Sequence, residues 1–124
     1  MKIKHTRLVV KNKEKVMDEF RNALSHLRKG EKVAPHRGIS FETIDTLRKI
    51  ITPKRLELLH MIKQHSPQSI YELAKLVNRD LKSVNTDIQI LADFDMITLE
   101  EHQEERKKVK PIVHFDKLNV EITI

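Results

Sequence analysis

Hydrophobic residues recur along this chain at two spacings, helical through most of its length and alternating near its end. Val16, Phe20, Ala23, Leu24 and Leu27 form one stripe at helical spacing, with Asn12 placed to cap that helix and Lys29-Gly30 to close it. Ahead of them, Ile3, Leu8, Val9 and Val10 allow a short strand within residues 2–10, although alternation there is poor. Residues 31–38, with Pro35 and Gly38, read as a linker. Ser40 is then placed to cap a short helix carrying Phe41, Ile44, Leu47 and Ile51.

Thr52-Pro53 restarts the chain with a cap followed by proline at the first helical position, where a missing N–H costs nothing. This helix is expected to run to about His65, to bury Leu56, Leu59 and Ile62, and to stop at Ser66-Pro67. Ser69-Ile70-Tyr71-Glu72 has the spacing of a capping box and opens a two-turn helix from Ile70 to Val77, with Leu73, Ala74 and Val77 inward. Asn78-Arg79-Asp80 forms a three-residue turn, and Asp80 caps a longer helix whose core face is Leu81, Val84, Ile88 and Leu91. Met96–Leu99 and Val109–Phe115 flank a polar stretch and read as a hairpin; without glycine in its turn, the tip is expected to be a longer, mobile loop. Leu118, Val120, Ile122 and Ile124 alternate with polar residues as in a half-buried strand.

Helix, two tightly joined helices, then hairpin is the order of a winged helix-turn-helix. The expected fold is therefore mainly α with a small β component: a winged helix-turn-helix over residues 39–124, preceded by a strand and helix extension over residues 1–38. Because residues 31–38 read as a flexible connection, a chain starting near Gly38 is expected to stay folded. The apolar stripe of the first helix needs a cover, which a second subunit, a protein partner or the chain's own body could supply.

Charge sharpens this division. Residues 1–38 hold eleven Lys and Arg against four acids, a net of +7, while the remainder nets −1. A basic segment on a near-neutral body suits a polyanion such as DNA or RNA, although a merely solvated basic surface has the same composition. The absence of cysteine removes disulfides and thiolate zinc sites. With Gly30 and Gly38 as the only glycines, neither a glycine-rich phosphate loop nor a GxSxG nucleophile elbow can be written. His60 and His65 are five apart, off one helical face, and no H-E-x-x-H pattern occurs, so no metal, cofactor or catalytic residue is expected. No apolar run approaches the roughly 20 residues of a membrane span, and a soluble, cytoplasmic protein is expected.

At about 100° per residue, the core face of the last helix leaves Lys82, Ser83, Thr86, Gln89 and Asp93 on the opposite side, with Asn85 at its edge. Such a face suits the major groove of double-stranded DNA. Asn85 and Gln89 offer the donor and acceptor pair that fits adenine, Lys82 can reach phosphate or guanine, and Ser83 and Thr86 can bond either. An ordinary solvated helix face is the alternative. Arg79 in the turn, Lys54 and Arg55 at one helix start, and Ser69 and Tyr71 at another are further DNA-contact positions. Arg106, Lys107 and Lys108 could set the hairpin on the DNA backbone, opposed by Glu100, Glu101, Glu104 and Glu105; a plain solvated hairpin remains open.

Phe41-Glu42, Thr52-Pro53-Lys54-Arg55-Leu56-Glu57-Leu58-Leu59, Ser69-Ile70-Tyr71-Glu72-Leu73-Ala74, and Val84 to Asp87 with Leu91 together resemble a family of short MarR-like winged-helix proteins over residues 40–124. The resemblance implies a dimeric DNA-binding repressor, and a number of family members resemble antitoxins encoded beside a small toxin. Two departures stand out. The family tends to carry basic residues where this chain has Thr86 and Gln89, and glycine where it has Asp95, a left-handed cap position. The leading expectation is a homodimeric transcriptional repressor. Its rival is an antitoxin whose N-terminal region binds a toxin and whose winged domain autoregulates. A third reading, RNA binding, is permitted by the basic N-terminus but disfavoured by sparse aromatics for base stacking, with Tyr71 the only tyrosine and no tryptophan.

Overall fold

In a computed structural model, which describes residues 4–11, 13–30, 38–103 and 107–123, the order is β1 (His5–Val10), α1 (Lys13–Arg28), β2 (Ile39–Phe41), α2 (Ile44–Ile50), α3 (Pro53–His65), α4 (Ile70–Val77), α5 (Leu81–Asp93), β3 (Thr98–Gln103), β4 (Lys107–Ile112) and β5 (Lys117–Ile122). The class is mainly α with a small β component. No helix among the described residues is long and apolar enough to cross a membrane. The expected cap at Asn12, the linker at 31–37, the hairpin tip at 104–106 and the terminal Ile124 lie outside the described residues.

The caps act where their local chemistry placed them. Thr52 Oγ1 accepts from Arg55 N–H at 3.2 Å, Ser69 Oγ from Glu72 N–H at 3.0 Å, and Asp80 Oδ2 from Ser83 N–H at 2.9 Å. The capping box is shifted: Glu72 accepts from Gln68 N–H at 3.0 Å, one residue before the expected reciprocal donor. Ser66, Asn78 and Asp95 take positive φ of 45°, 54° and 59° at the ends of α3, α4 and α5, reversing the chain sharply without glycine. Asp95 thus adopts the left-handed conformation for which glycine would be the easier residue.

Leu58, Leu59, Ile62, Ile70, Leu73, Ala74, Val84, Ile88 and Leu91 meet Met96, Ile97 and Val113 in one core. Two expected core residues do not: Leu56 and Leu81 are exposed, each at the first turn of its helix, where the chain has only begun to enter the body. Leu58 takes the inward place on α3. Ser40 does not cap a helix. It lies in β2, Thr43 caps α2 through Thr46 N–H at 3.2 Å, and Phe41 is drawn inward to stack on Phe94 with centroids 5.5 Å apart.

The hairpin β3–β4 is antiparallel and sets Glu100 opposite Lys110 and His102 opposite Lys108. A second sheet has the order β2-β1-β5, with β1 parallel to both neighbours. Parallel neighbours need a crossover, and α1 lies within the one joining β1 to β2. Leu8 on β1 is fully buried in the same core as the helices, so the expected boundary at 38/39 does not hold for the strand. Asp116 ties the start of β1 to α3: it accepts from Lys4 N–H at 2.8 Å and from Lys63 Nζ at 3.2 Å, and those bonds, the backbone one first, hold its carboxyl below the usual range.

Helix α1 behaves differently. Val16, Met17, Phe20, Leu24 and Leu27 are all exposed, so the stripe is left uncovered among the described residues. Lys11 Nζ, meeting Glu19 at 2.6 Å, links the helix to the end of β1.

Two substitutions separate these roles. Leu8→Ala should destabilise the fold by about 2–5 kcal/mol, as for other fully buried leucines. Phe20→Ala should change stability by no more than about 0.5 kcal/mol in the monomer. Urea unfolding followed by circular dichroism measures both, and a chain starting at Gly38, which lacks β1, should lose cooperative unfolding.

Candidate nucleic-acid interface

Helices α4 and α5 are joined by three residues, with Asn78 in the left-handed region and Arg79 N–H donating to Ala74 O at 3.1 Å. Because Val84, Ile88 and Leu91 are completely buried, the opposite side of α5 is turned to solvent. Lys82, Asn85, Thr86 and Gln89 are exposed there, and Ser83 is half-buried. The Thr86 hydroxyl donates to Lys82 O at 3.0 Å, which leaves its methyl and an acceptor lone pair available to a ligand.

The start of α4 adds Tyr71, exposed, with Lys75 Nζ 4.5 Å from its ring centroid. Lys75 was not singled out in the sequence, although its i+4 spacing from Tyr71 is the signal that places both on one face. Ser69 is half-buried with its hydroxyl engaged as the α4 cap. Lys54 is exposed at the first turn of α3.

Arg55 and Arg79, expected among the DNA contacts, are turned inward. Asp87 on α5 accepts from Arg55 Nε at 3.1 Å and from Arg79 Nη2 at 2.8 Å. Arg55 Nη1 also donates to Lys49 O at 2.6 Å and Ile50 O at 3.0 Å, satisfying carbonyls at the end of α2. The three side chains are only 14–19% exposed. Their charge is thus engaged within the fold, and no local sequence pattern signals the pairing, since Arg55 and Asp87 are 32 residues apart. On the hairpin, Lys108 is exposed, Lys107 lies at the start of β4, and Arg106 lies outside the described residues. Glu100 Oε1 lies 3.0 Å from His102 Nε2 and faces Lys110 in register, so acids and bases are interleaved along this hairpin.

The fold and its exposed faces define a small α-rich protein with a polar helix surface on α5, beside the start of α4. The HVO_A0114 family model matches residues 50–120, more than half of the chain, and the protein belongs to that family. The matched segment runs from the end of α2 into β5 and includes the whole Arg55–Asp87–Arg79 cluster. A comparison with curated proteins found no match.

Removing Asp87 should leave two inward-facing guanidiniums without a counter-charge, and Asp87→Ala should cost about 3–5 kcal/mol in denaturant unfolding. Lys82→Ala, on the solvent side of the same helix, should leave the unfolding midpoint nearly unchanged. Acid should act at Asp80, whose carboxyl lies below its usual range chiefly because it accepts the Ser83 backbone N–H, and secondarily the Ser83 side chain. A folded-state pKa below the unfolded one gives stability that is present above the ordinary carboxylate pKa of about 3.9 and is lost as pH falls through the folded value. The thermal midpoint of Asp80→Asn, which keeps a capping oxygen but cannot ionise, should therefore depend less on pH across the acid range than that of the parent.

Proposed function

We propose that this protein is a DNA-binding transcriptional regulator, a homodimeric repressor of the MarR-like kind, and that α3, α4, α5 and the β3–β4 hairpin act as a winged helix-turn-helix. The observation that carries the reading is the solvent face of α5. It bears Lys82, Asn85, Thr86 and Gln89 on a helix whose other side is locked into the core, and two of these are amides suited to adenine. Tyr71 and Lys75 on α4 are placed to meet the flanking backbone, with Lys54 as a further phosphate contact. With Arg55 and Arg79 internal, the exposed cations near α5 are few, which favours a modest electrostatic contribution and a larger share for base contacts. The hairpin contributes little net charge, because Glu100 and Lys110 face each other.

A second reading is favoured by one observation, the uncovered stripe of α1. Val16, Met17, Phe20, Leu24 and Leu27 together suit a protein partner, and a toxin bound there would make the protein an antitoxin that regulates its own genes.

Gel-shift titration with the DNA upstream of the protein's own gene tests the first reading. Asn85→Ala and Gln89→Ala should each lose about 1–3 kcal/mol of discrimination between operator and random duplex. Lys82→Ala should weaken both duplexes alike and reduce the salt dependence by about one phosphate contact. Equal binding of operator and random DNA by the parent protein and all three variants would remove α5 as the reading element.

A further inference from the structure

Strand β5 is an edge. Among the described residues it pairs only with β1, and its apolar face is incompletely covered: Leu118 is half-buried, while Val120 and Ile122 are exposed. In register these three stand beside Thr6, Leu8 and Val10 of β1, so they share the face that Leu8 turns to the core, and the helices stop short of them. Between β5 and α3 the gap forms a groove of about 270 Å³ lined by Leu56, Leu59, His60, Lys63, Phe115 and Leu118. An exposed edge with an apolar face is a template for another strand.

We infer that β5 pairs antiparallel with β5 of a second copy across a two-fold axis at Asn119, joining the two three-stranded sheets into one of six. This deepens the homodimeric part of the reading above by assigning the surface, and it rests on that reading. The backbone supports the register. Lys117 N–H donates inward to Lys4 O at 3.2 Å, so by strand alternation Asn119 and Glu121 also direct their backbone groups to β1. Leu118, Val120 and Ile122 then present theirs to the open edge. Centring the pair on Asn119 uses these free groups and sets Lys117 opposite Glu121 of the second copy, twice over, with Leu118 opposite Val120. Centring on Val120 would instead set Asn119 against Glu121 and Lys117 against Thr123, with no opposite-charge pair. Charge complementarity therefore selects Asn119.

The rest of the surface agrees with this occupant. Lys117 has no ion-pair partner among the described residues, whereas Glu121 meets Arg7 on the β1 side and keeps its other side for a second cation. A two-fold axis perpendicular to the sheet keeps both bodies on one side of it. The two grooves then face each other over a floor of Leu118, Val120 and Ile122 from both copies, which closes the gap that one copy leaves open.

The protein has no cysteine, so Asn119→Cys introduces a single thiol at a residue that meets itself across the axis. Such a non-hydrogen-bonded pair has Cα atoms roughly 4.5 Å apart, within disulfide reach. Mild oxidation of the folded full chain should convert most of Asn119→Cys to a covalent dimer, and the same treatment in denaturant should not. Val120→Lys and Ile122→Lys should raise the dimer dissociation constant by about tenfold or more in light scattering. If the parent is a dimer but Asn119→Cys does not link and both lysine variants stay paired, the edge assignment is overturned and the homodimeric reading survives. Cross-linking of Phe20→Cys in place of Asn119→Cys would overturn it in favour of α1. A parent that remains monomeric at high concentration would overturn both the edge and the homodimer, while gel-shift binding would still report separately on DNA recognition.

Discussion

The arrangement around α5 depends on one carboxylate. Asp87 receives a guanidinium from each side, Arg55 from the first turn of α3 and Arg79 from the turn before α5, and Arg55 carries the link on to the last carbonyls of α2. Four segments are thereby fixed to one point. Apolar packing alone would hold α5 against the core but tolerate small rotations about its axis, since Val84, Ile88 and Leu91 are non-directional contacts. A half-buried carboxylate with two charge-assisted donors does not tolerate them. The cluster is not an optimised source of stability: Arg79 Nη1 is buried without a hydrogen-bond partner among the described residues, and two guanidiniums share a single negative charge. Its contribution is better understood as orientation, because it sets which side of α5 faces outward.

That orientation carries the functional reading. Lys82, Asn85, Thr86 and Gln89 are useful to a ligand only if the helix presents them together, and Asp87, placed among them in sequence, pins the helix from behind. Two arginines that would otherwise have joined the basic surface are withdrawn to do this. The segment that the HVO_A0114 family model matches spans both arginines, Asp87 and the helix they hold.

Elsewhere among the described residues several large apolar side chains are left exposed. Strand β1 is sandwiched between β2 and β5 and contributes Leu8 to the core, yet α1 and the outer part of β5 keep large side chains in water. For α1 the helix lies within a crossover connection, with Lys11 and Glu19 forming one polar link to the end of β1. For β5 the reason is geometry, because the helical core is wide enough to cover β1 and not the strand beyond it. The starts of α2 to α5 are capped by side chains close in sequence and the end of α2 by Arg55, so what stands exposed is apolar side chains.

Much of the fold was legible because its signals are short-range. Thr52-Pro53, Ser69 with Glu72, and Asp80 satisfy amides within four residues of themselves, and Asn78 reverses the chain through its own backbone, so the limits of α3, α4 and α5 could be read from the chain alone. The polar face of α5 was legible for the same reason, since helical spacing assigns it without reference to any neighbour. Only the tertiary structure decided that Phe41 extends into a strand to reach Phe94, that Leu58 enters the core while Leu56 and Leu81 stay outside, and that Leu8 makes β1 part of the body. It also decided that Arg55 and Arg79 serve Asp87 and not the surface. Phe94 lies tens of residues from Phe41 and Asp87 tens of residues from Arg55, while Arg79 reaches Asp87 from eight residues away only because the turn folds it inward. Burial and ion pairing depend on which surface arrives at a position, a fact that local spacing does not contain.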